Sequence, residues 1–363
     1  MVKWKHIVIL GLLVATYTPI NAAQLDEKMF EKLSPKEQVA FVLSCLQARD
    51  QLLDSFSCKL TVKKRNVEIA TGRDEYDFPM EKYELYRSGD TSLLHVWLFS
   101  KDGDLQTEWR QRWDGKERRA ISVPLKKEER PSLAISDTES SVVGGIGYNL
   151  LLGYRVGGDP AVSVSRWIGL PVEVNRNSIE VSIDHSGKDP LLLVHIREFG
   201  YDHFRFWFDP TRDYLPVRFK MWNSTDKNEK SYVNWTTDEA VEVKKIGSVW
   251  IPMKVIRQSG QRDSSHDCTQ WTYTVEQFTL DKPTPEKLDI TVPADTTVND
   301  TVHKEIYVLH GDGSKTFMNF YDPSTSKIVS ATQQAAATQA SATSTRPTVV
   351  PPATLPAAKP AGK

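Results

Sequence analysis

The chain has 363 residues, with 46 Lys plus Arg against 47 Asp plus Glu and a formal net charge of −1. That balance argues against a polyanionic partner such as nucleic acid, which demands a basic surface. The three cysteines, Cys45, Cys58 and Cys268, show no C-x-x-C spacing, which speaks against zinc or redox chemistry.

Lys3 and Lys5 precede an apolar run from Ile7 to Tyr17; Pro19 then breaks it, and Ala22 and Ala23 follow. Charge, apolar core and small-residue site in that order predict a secretory signal over 1–23. The run is too short to cross a bilayer core of ~30 Å, so no transmembrane segment is expected after cleavage. Export makes the protein periplasmic, or otherwise extracytoplasmic. An oxidising compartment permits one disulfide, and Cys45 and Cys58 are close in sequence, but geometry decides whether they pair.

Ser34-Pro35-Lys36-Glu37 is a capping box with proline at the first helical position. Val39, Val42, Leu43, Leu46 and Leu53 then recur at helical spacing on a face suited to packing on a sheet. Strands follow almost without interruption. Leu93 to Phe99 precedes Lys101-Asp102-Gly103-Asp104, and Leu105 to Trp113 precedes Asp114-Gly115. Strand, tight turn and strand in repetition predict a β-meander, with the Asp-Gly pairs as its hairpin signals.

Ser136 to Gly153 carries Val143, Ile146 and Leu150 among several glycines. This stretch reads as one or two short helices that cover something. Its Gly144-Gly145-Ile146-Gly147 lacks the Lys-Ser/Thr ending of a phosphate loop. The meander resumes through Phe204 to Phe208, Leu215 to Trp222, Ser231 to Trp235, Val241 to Ile246, Trp250 to Gln258 and Trp271 to Leu280. From Lys282 to Asp300 prolines and charges dominate, and Ile306 to Phe320 suggests a last strand pair. The folded domain is expected over 24–327. Residues 328–363, rich in Ala, Thr and Pro, cannot bury enough apolar surface to offset their ordering entropy and read as a disordered tail. The fold class is mainly β (α+β): an antiparallel meander forming an unclosed β-barrel, with an N-terminal helix and mid-chain covering helices.

No histidine sits in a metal-binding spacing, no G-x-S-x-G elbow occurs, and the acidic residues cluster in turns. The motif content points to no enzyme and no cofactor. Aromatic residues form the more telling pattern. Phe204, Phe206 and Phe208 share one strand face; Trp97 and Phe99 share another with His95; Trp109 and Trp113 share a third; Phe219 and Met221 a fourth. Either these side chains fill a core against the first helix, or the sheet is too wide for one helix to fill and they line an apolar cavity. In the second case Val143, Ile146 and Leu150 are lid candidates.

The order of signal, capped helix, first strand (Phe56 to Val62), long meander and mid-chain cover resembles the LolA/LolB-like superfamily of bacterial envelope proteins. Two local stretches resemble it further: Phe208-Asp209-Pro210-Thr211-Arg212-Asp213-Tyr214-Leu215-Pro216-Val217-Arg218, and Gly247-Ser248-Val249-Trp250-Ile251-Pro252-Met253-Lys254. The resemblance covers roughly Ser34 to Pro293. It implies an unclosed barrel whose apolar concavity, lidded by helices, accepts acyl chains of lipids or lipoproteins. Burying about sixteen methylenes gains roughly 12 kcal/mol gross, against roughly 4–15 kcal/mol of association cost, an affinity range in which a carrier can release its load. A periplasmic carrier is thus one reading. The alternative is an envelope interaction or sensor protein that uses the same fold without transporting a ligand.

Overall fold

A computed structural model describes residues 25–68, 74–77, 80–125, 129–137, 165, 176–198, 202–224, 232–261, 267–322 and 327–330. The expected signal, the lid candidates Val143, Ile146 and Leu150, and the tail beyond Ser330 lie outside these residues.

A short helix α1 (Glu27–Phe30) is capped by Asp26, and α2 spans Pro35–Leu52. The expected capping box is present. Glu37 N–H donates to Ser34 Oγ at 3.4 Å, and Ser34 N–H donates to the Glu37 carboxylate at 2.8 Å. The inner face of α2 buries Val42, Cys45, Leu46 and Arg49.

Among the described residues, eighteen strands form one sheet. The first seven are β1 (Ser55–Glu68), β2 (Asp74–Asp77), β3 (Glu81–Ser88), β4 (Thr91–Phe99), β5 (Leu105–Trp113), β6 (Arg118–Pro124) and β7 (Ser132–Ser136). Next come β8 (Arg176–Asp184), β9 (Leu191–Glu198), β10 (Asp202–Asp209), β11 (Leu215–Ser224), β12 (Tyr232–Ile246), β13 (Val249–Gln261) and β14 (Asp267–Thr279). The last four are β15 (Thr296–Asp300), β16 (Glu305–Leu309), β17 (Lys315–Asp322) and β18 (Lys327–Ser330). β18 carries the sheet past the domain end expected at 327.

Pairing runs β8–β9–β10–β11–β12–β13–β14 to β1, and from β1 through β3–β4–β5–β6–β7 to β15–β16–β17–β18. β2 lies beside the far end of β1. Among the described residues every pair is antiparallel except β7–β15. β8 and β18 have a neighbour on one side only among the described residues, so the sheet is unclosed. The first strand of the chain therefore sits mid-sheet and joins two meanders. Hairpins turn where the Asp-Gly pairs are: Gly103 and Gly115 take φ of 89° and 88°, a region that an L side chain strains to reach. Bulges in β1 between Lys59 and Leu60, and in β12 around Glu242, add local twist to the long strands.

Three apolar clusters divide the interior. One lies under α2 and gathers Leu192, Val194 and Ile196 of β9, Phe206 and Phe208 of β10, and Phe219 of β11. A second fills the concave face about β1, with Phe56, Cys58, Leu60 and Val62 packed among Leu85, Leu94, Val96, Tyr273 and Val275. The third lies on the opposite face of β3 and β4. There Tyr86 and Leu93 meet Ile121, Leu133 and Val298, with Leu288 and Ile290 from the segment preceding β15. All three cysteines are buried thiols; Cys45 belongs to the α2 cluster and Cys58 to the β1 cluster, so no bridge ties helix to strand.

Candidate functional site: a cleft on the concave sheet face

Register aligns the concave face in cross-strand rows. Val275–Leu60–Tyr83–Val96–Trp109 is the innermost row of the cleft. Next comes Val255–Tyr273–Val62–Glu81–Leu98. Beyond it runs Asp238–Arg257–Trp271–Lys64, and then Thr236–Ser259–Thr269–Asn66. Since directly opposed residues share a face, the four rows descend from hydroxyls, through a charged row, to a mixed row and an apolar one.

Between the two meanders, on either side of β1, these rows leave a cleft of about 370 Å³. Trp109, Trp271, Val96 and Leu98 give it apolar walls; Glu81, Tyr83, Tyr273, Arg257, Thr236 and Ser259 supply its polar groups. Packing of the β1 cluster stops at Val62, Val96 and Tyr273, and the cleft begins there. Its volume lies in the range of small-molecule sites.

The charge in the cleft is held from behind. Arg257 Nε donates to Asp238 Oδ1 at 2.7 Å and Nη2 donates to Oδ2 at 3.0 Å, a bidentate pair. Asp238 is 0% and Arg257 5% exposed. Burial pushes the Asp238 carboxyl up, and Arg257 only partly opposes it. Burial alone would lower the Arg257 guanidinium, but Asp238 and the Tyr273 hydroxyl raise it, so it stays charged. Tyr83 O–H donates to the Glu81 carboxylate, and the phenol is pushed up by its burial and by Glu81. At the mouth Ser259 Oγ–H donates to the Trp235 carbonyl at 3.1 Å, and Thr236 Oγ1–H donates to Ser259 Oγ at 3.1 Å. Lys64 Nζ lies 5.5 Å from the centre of the Trp271 ring.

Of the residues singled out in the sequence, Trp109 lines this cleft. Trp113 lies farther along the same face of β5 and is buried, opposite Ser92 and Arg118. Trp97 and Phe99 point to the other face of β4. There Trp97 packs on His95 in a tilted contact, 3.6 Å between centroids and 31° between planes, and Lys82 lies over Phe99 at 5.4 Å. Phe204, Phe206, Phe208, Phe219 and Met221 do share a face, and that face packs under α2. The structure thus places these five in the core layer and brings only Trp109 of the nine to the cleft. Sequence reading missed Trp271, Tyr273, Arg257 and Asp238. Their one signal was the polar–apolar alternation in β13 and β14, which does not say what they face across the sheet.

The outer face of β9–β11 carries a second constellation. His195 Nε2 and His203 Nδ1 are 3.2 Å apart; both rings stack with Trp222, and Arg205 and Lys220 lie over the indole. Among the described residues, no group of three or more His, Cys, Asp or Glu side chains is placed to hold a metal ion, and no helix is long and apolar enough to cross a membrane.

The described residues thus form an open, mainly antiparallel sheet with an N-terminal helix and a cleft with both apolar and polar walls. No family model and no curated protein matches the sequence. Among solved structures, the chain is similar to a LolA superfamily protein from Nitrosomonas europaea, at 12% identity and a TM-score of 0.39, over 68% of this chain and 96% of that one. It is also similar to an outer membrane lipoprotein-sorting protein domain from Vibrio parahaemolyticus, at 9% identity and a TM-score of 0.42, over 68% and 95%. A DUF1329 family protein from Desulfovibrio piger is similar at 9% identity and a TM-score of 0.36, over 70% and 96%.

Proposed function

We propose that this protein is a non-enzymatic periplasmic carrier that binds the acyl chain of a lipid or lipoprotein in the concave cleft. The observation that carries the reading is the cleft itself: two indoles, Trp109 and Trp271, and two aliphatic side chains, Val96 and Leu98, stand open above a packed apolar floor. An apolar chain laid there exchanges water for aromatic and aliphatic wall at about 25 cal/mol per Å² of apolar surface. The cleft sets polar groups beside these apolar walls, which supports recognition by contact and hydrogen bonding. The signal read over residues 1–23 supports export to where acyl lipids must cross water between membranes.

The test is quenching of tryptophan fluorescence by vesicles or micelles of lipids brominated along the acyl chain. Binding in the cleft predicts quenching in the full-length protein that falls when Trp109 and Trp271 are both replaced by Phe. Quenching that is absent, or unchanged in the double variant, refutes the assignment.

A further inference from the structure

The cleft is bounded in every direction that an alkyl chain could use. Trp109 stands on β5 and Trp271 on β14, and the strands from β14 through β1, β3 and β4 to β5 are paired edge to edge. These walls cannot part without breaking ladder hydrogen bonds. Below, Leu60, Val62 and Val275 are packed as core and close the floor. At the other end the apolar walls stop at Trp271, whose row also carries Arg257 with Asp238, and the next row carries Thr236 and Ser259. An alkyl chain laid over those rows would cover polar groups without pairing them, which costs free energy.

The space so bounded is about 370 Å³. A methylene takes up about the volume of a water molecule, roughly 30 Å³, so the cleft holds about twelve methylenes, most of one acyl chain. Three chains of about sixteen carbons would need roughly 1,400 Å³ on the same scale. We infer that the cleft takes a single acyl chain and selects monoacyl lipids over those with two or three chains. The inference rests on the acyl-binding reading and adds the number and length of the chains. A second chain finds no wall of its own, because Trp109, Trp271, Val96 and Leu98 are the surface that the first one covers. The polar end combines a guanidinium, a carboxylate and hydroxyls, donors and acceptors alike, so the selection lies in the chains and not in the charge of the head.

Binding of phosphocholine lipids to the full-length protein, each below its aggregation limit, tests this with the head group held constant. Across 1-acyl lysophosphatidylcholines, affinity should rise by up to about fourfold per added methylene and level off at about twelve carbons. Didecanoyl phosphatidylcholine should bind within about threefold of decanoyl lysophosphatidylcholine, because burying a second chain would instead tighten binding by orders of magnitude. Leu98→Trp, which fills part of the wall, should level off at shorter chains; the two wild-type comparisons stand without it. Affinity that climbs undiminished to sixteen carbons, a second chain that tightens binding more than about tenfold, or an unmoved level in folded Leu98→Trp overturns the single-chain inference while the acyl-binding reading survives. Failure of every lipid in the series to bind overturns the acyl-binding reading and this inference with it.

Discussion

Removing the carboxylate of Asp238 should damage the protein more than removing the guanidinium of Arg257. The two groups are almost fully buried and meet in a bidentate pair of 2.7 and 3.0 Å. In Asp238→Ala the guanidinium is left in the interior, and an arginine cannot shed its proton to escape. Stranding a buried charge in this way costs about 3–5 kcal/mol. Arg257→Met keeps the aliphatic stem and strands a carboxyl instead, but that carboxyl escapes by taking up a proton, and burial already pushes its pKa upward. The loss in Arg257→Met should therefore be smaller, and it should depend on pH. A folded-state pKa above the unfolded value means stability that is present at acid pH and lost as pH rises through the folded value. Arg257→Met should accordingly lie nearer the wild type at pH 5 than at pH 8, whereas Asp238→Ala should show no such recovery. Pairing Arg257→Met with Asp238→Leu replaces both ions by apolar groups and should restore much of the loss, because desolvation had cancelled most of the gain from the pair. Urea unfolding of the three variants at the two pH values measures all of this. An Asp238→Ala loss below about 1 kcal/mol, or an Arg257→Met loss at pH 5 that equals or exceeds it, would refute the reasoning.

Burial pushes the Cys45 thiol up to about 11 from 9.0. Its contribution is present below pH 9 and disappears as pH rises toward 11, so wild type should lose about 2–3 kcal/mol more than Cys45→Ala across that window; parallel urea-midpoint profiles would count against it. Gly260 lies opposite Trp235, and a Cβ there would stand 3.0 Å from the indole. A β-branched residue at a strand glycine usually helps, yet Gly260→Val should destabilise by about 1–3 kcal/mol through the forced shift of the ring. A raised melting temperature in that variant would contradict the contact.

What was readable in the sequence was whatever depends on neighbours along the chain. The capping box at Ser34 and Glu37, the Asp-Gly hairpins and the shared face of Phe204, Phe206 and Phe208 all follow from local spacing. Four strands escaped, among them β18, which lies past the expected domain end. β7 and β15 are five residues each, and although each also pairs antiparallel with a neighbour in sequence, their mutual parallel pairing spans more than 160 positions and leaves no local trace. β2, four residues long, is fixed by its register beside β1. Conversely, Ser231–Trp235 and Val241–Ile246 read as two strands because Asp238 and Glu239 interrupt the apolar pattern, whereas the structure runs one strand, β12, through both and buries Asp238 against Arg257. A charge inside a strand looked like a break because its partner, Arg257, is on another strand.

The same non-locality explains why the aromatic faces were found and their roles were not. Period two tells which side of a strand a ring is on, but what covers that side is decided by where the strand lies in the sheet. β10 and β11 lie under α2, and their phenylalanines became core; β5 and β14 lie astride β1, and their tryptophans frame a gap. The gap stays open because its upper rows are polar. Had Asp238, Arg257, Thr236 and Ser259 been apolar, larger side chains could have continued the β1 packing to the strand ends, as they do from Phe56 to Val62. Lone pairs and a paired charge cannot be covered by aliphatic side chains without losing their hydrogen bonds, so the polar rows keep the concave face from filling with the protein's own residues. In this sheet the hydroxyl and charged rows are thus the reason a cavity exists at all, and the apolar rows beneath them are the surface that the proposed acyl ligand would cover.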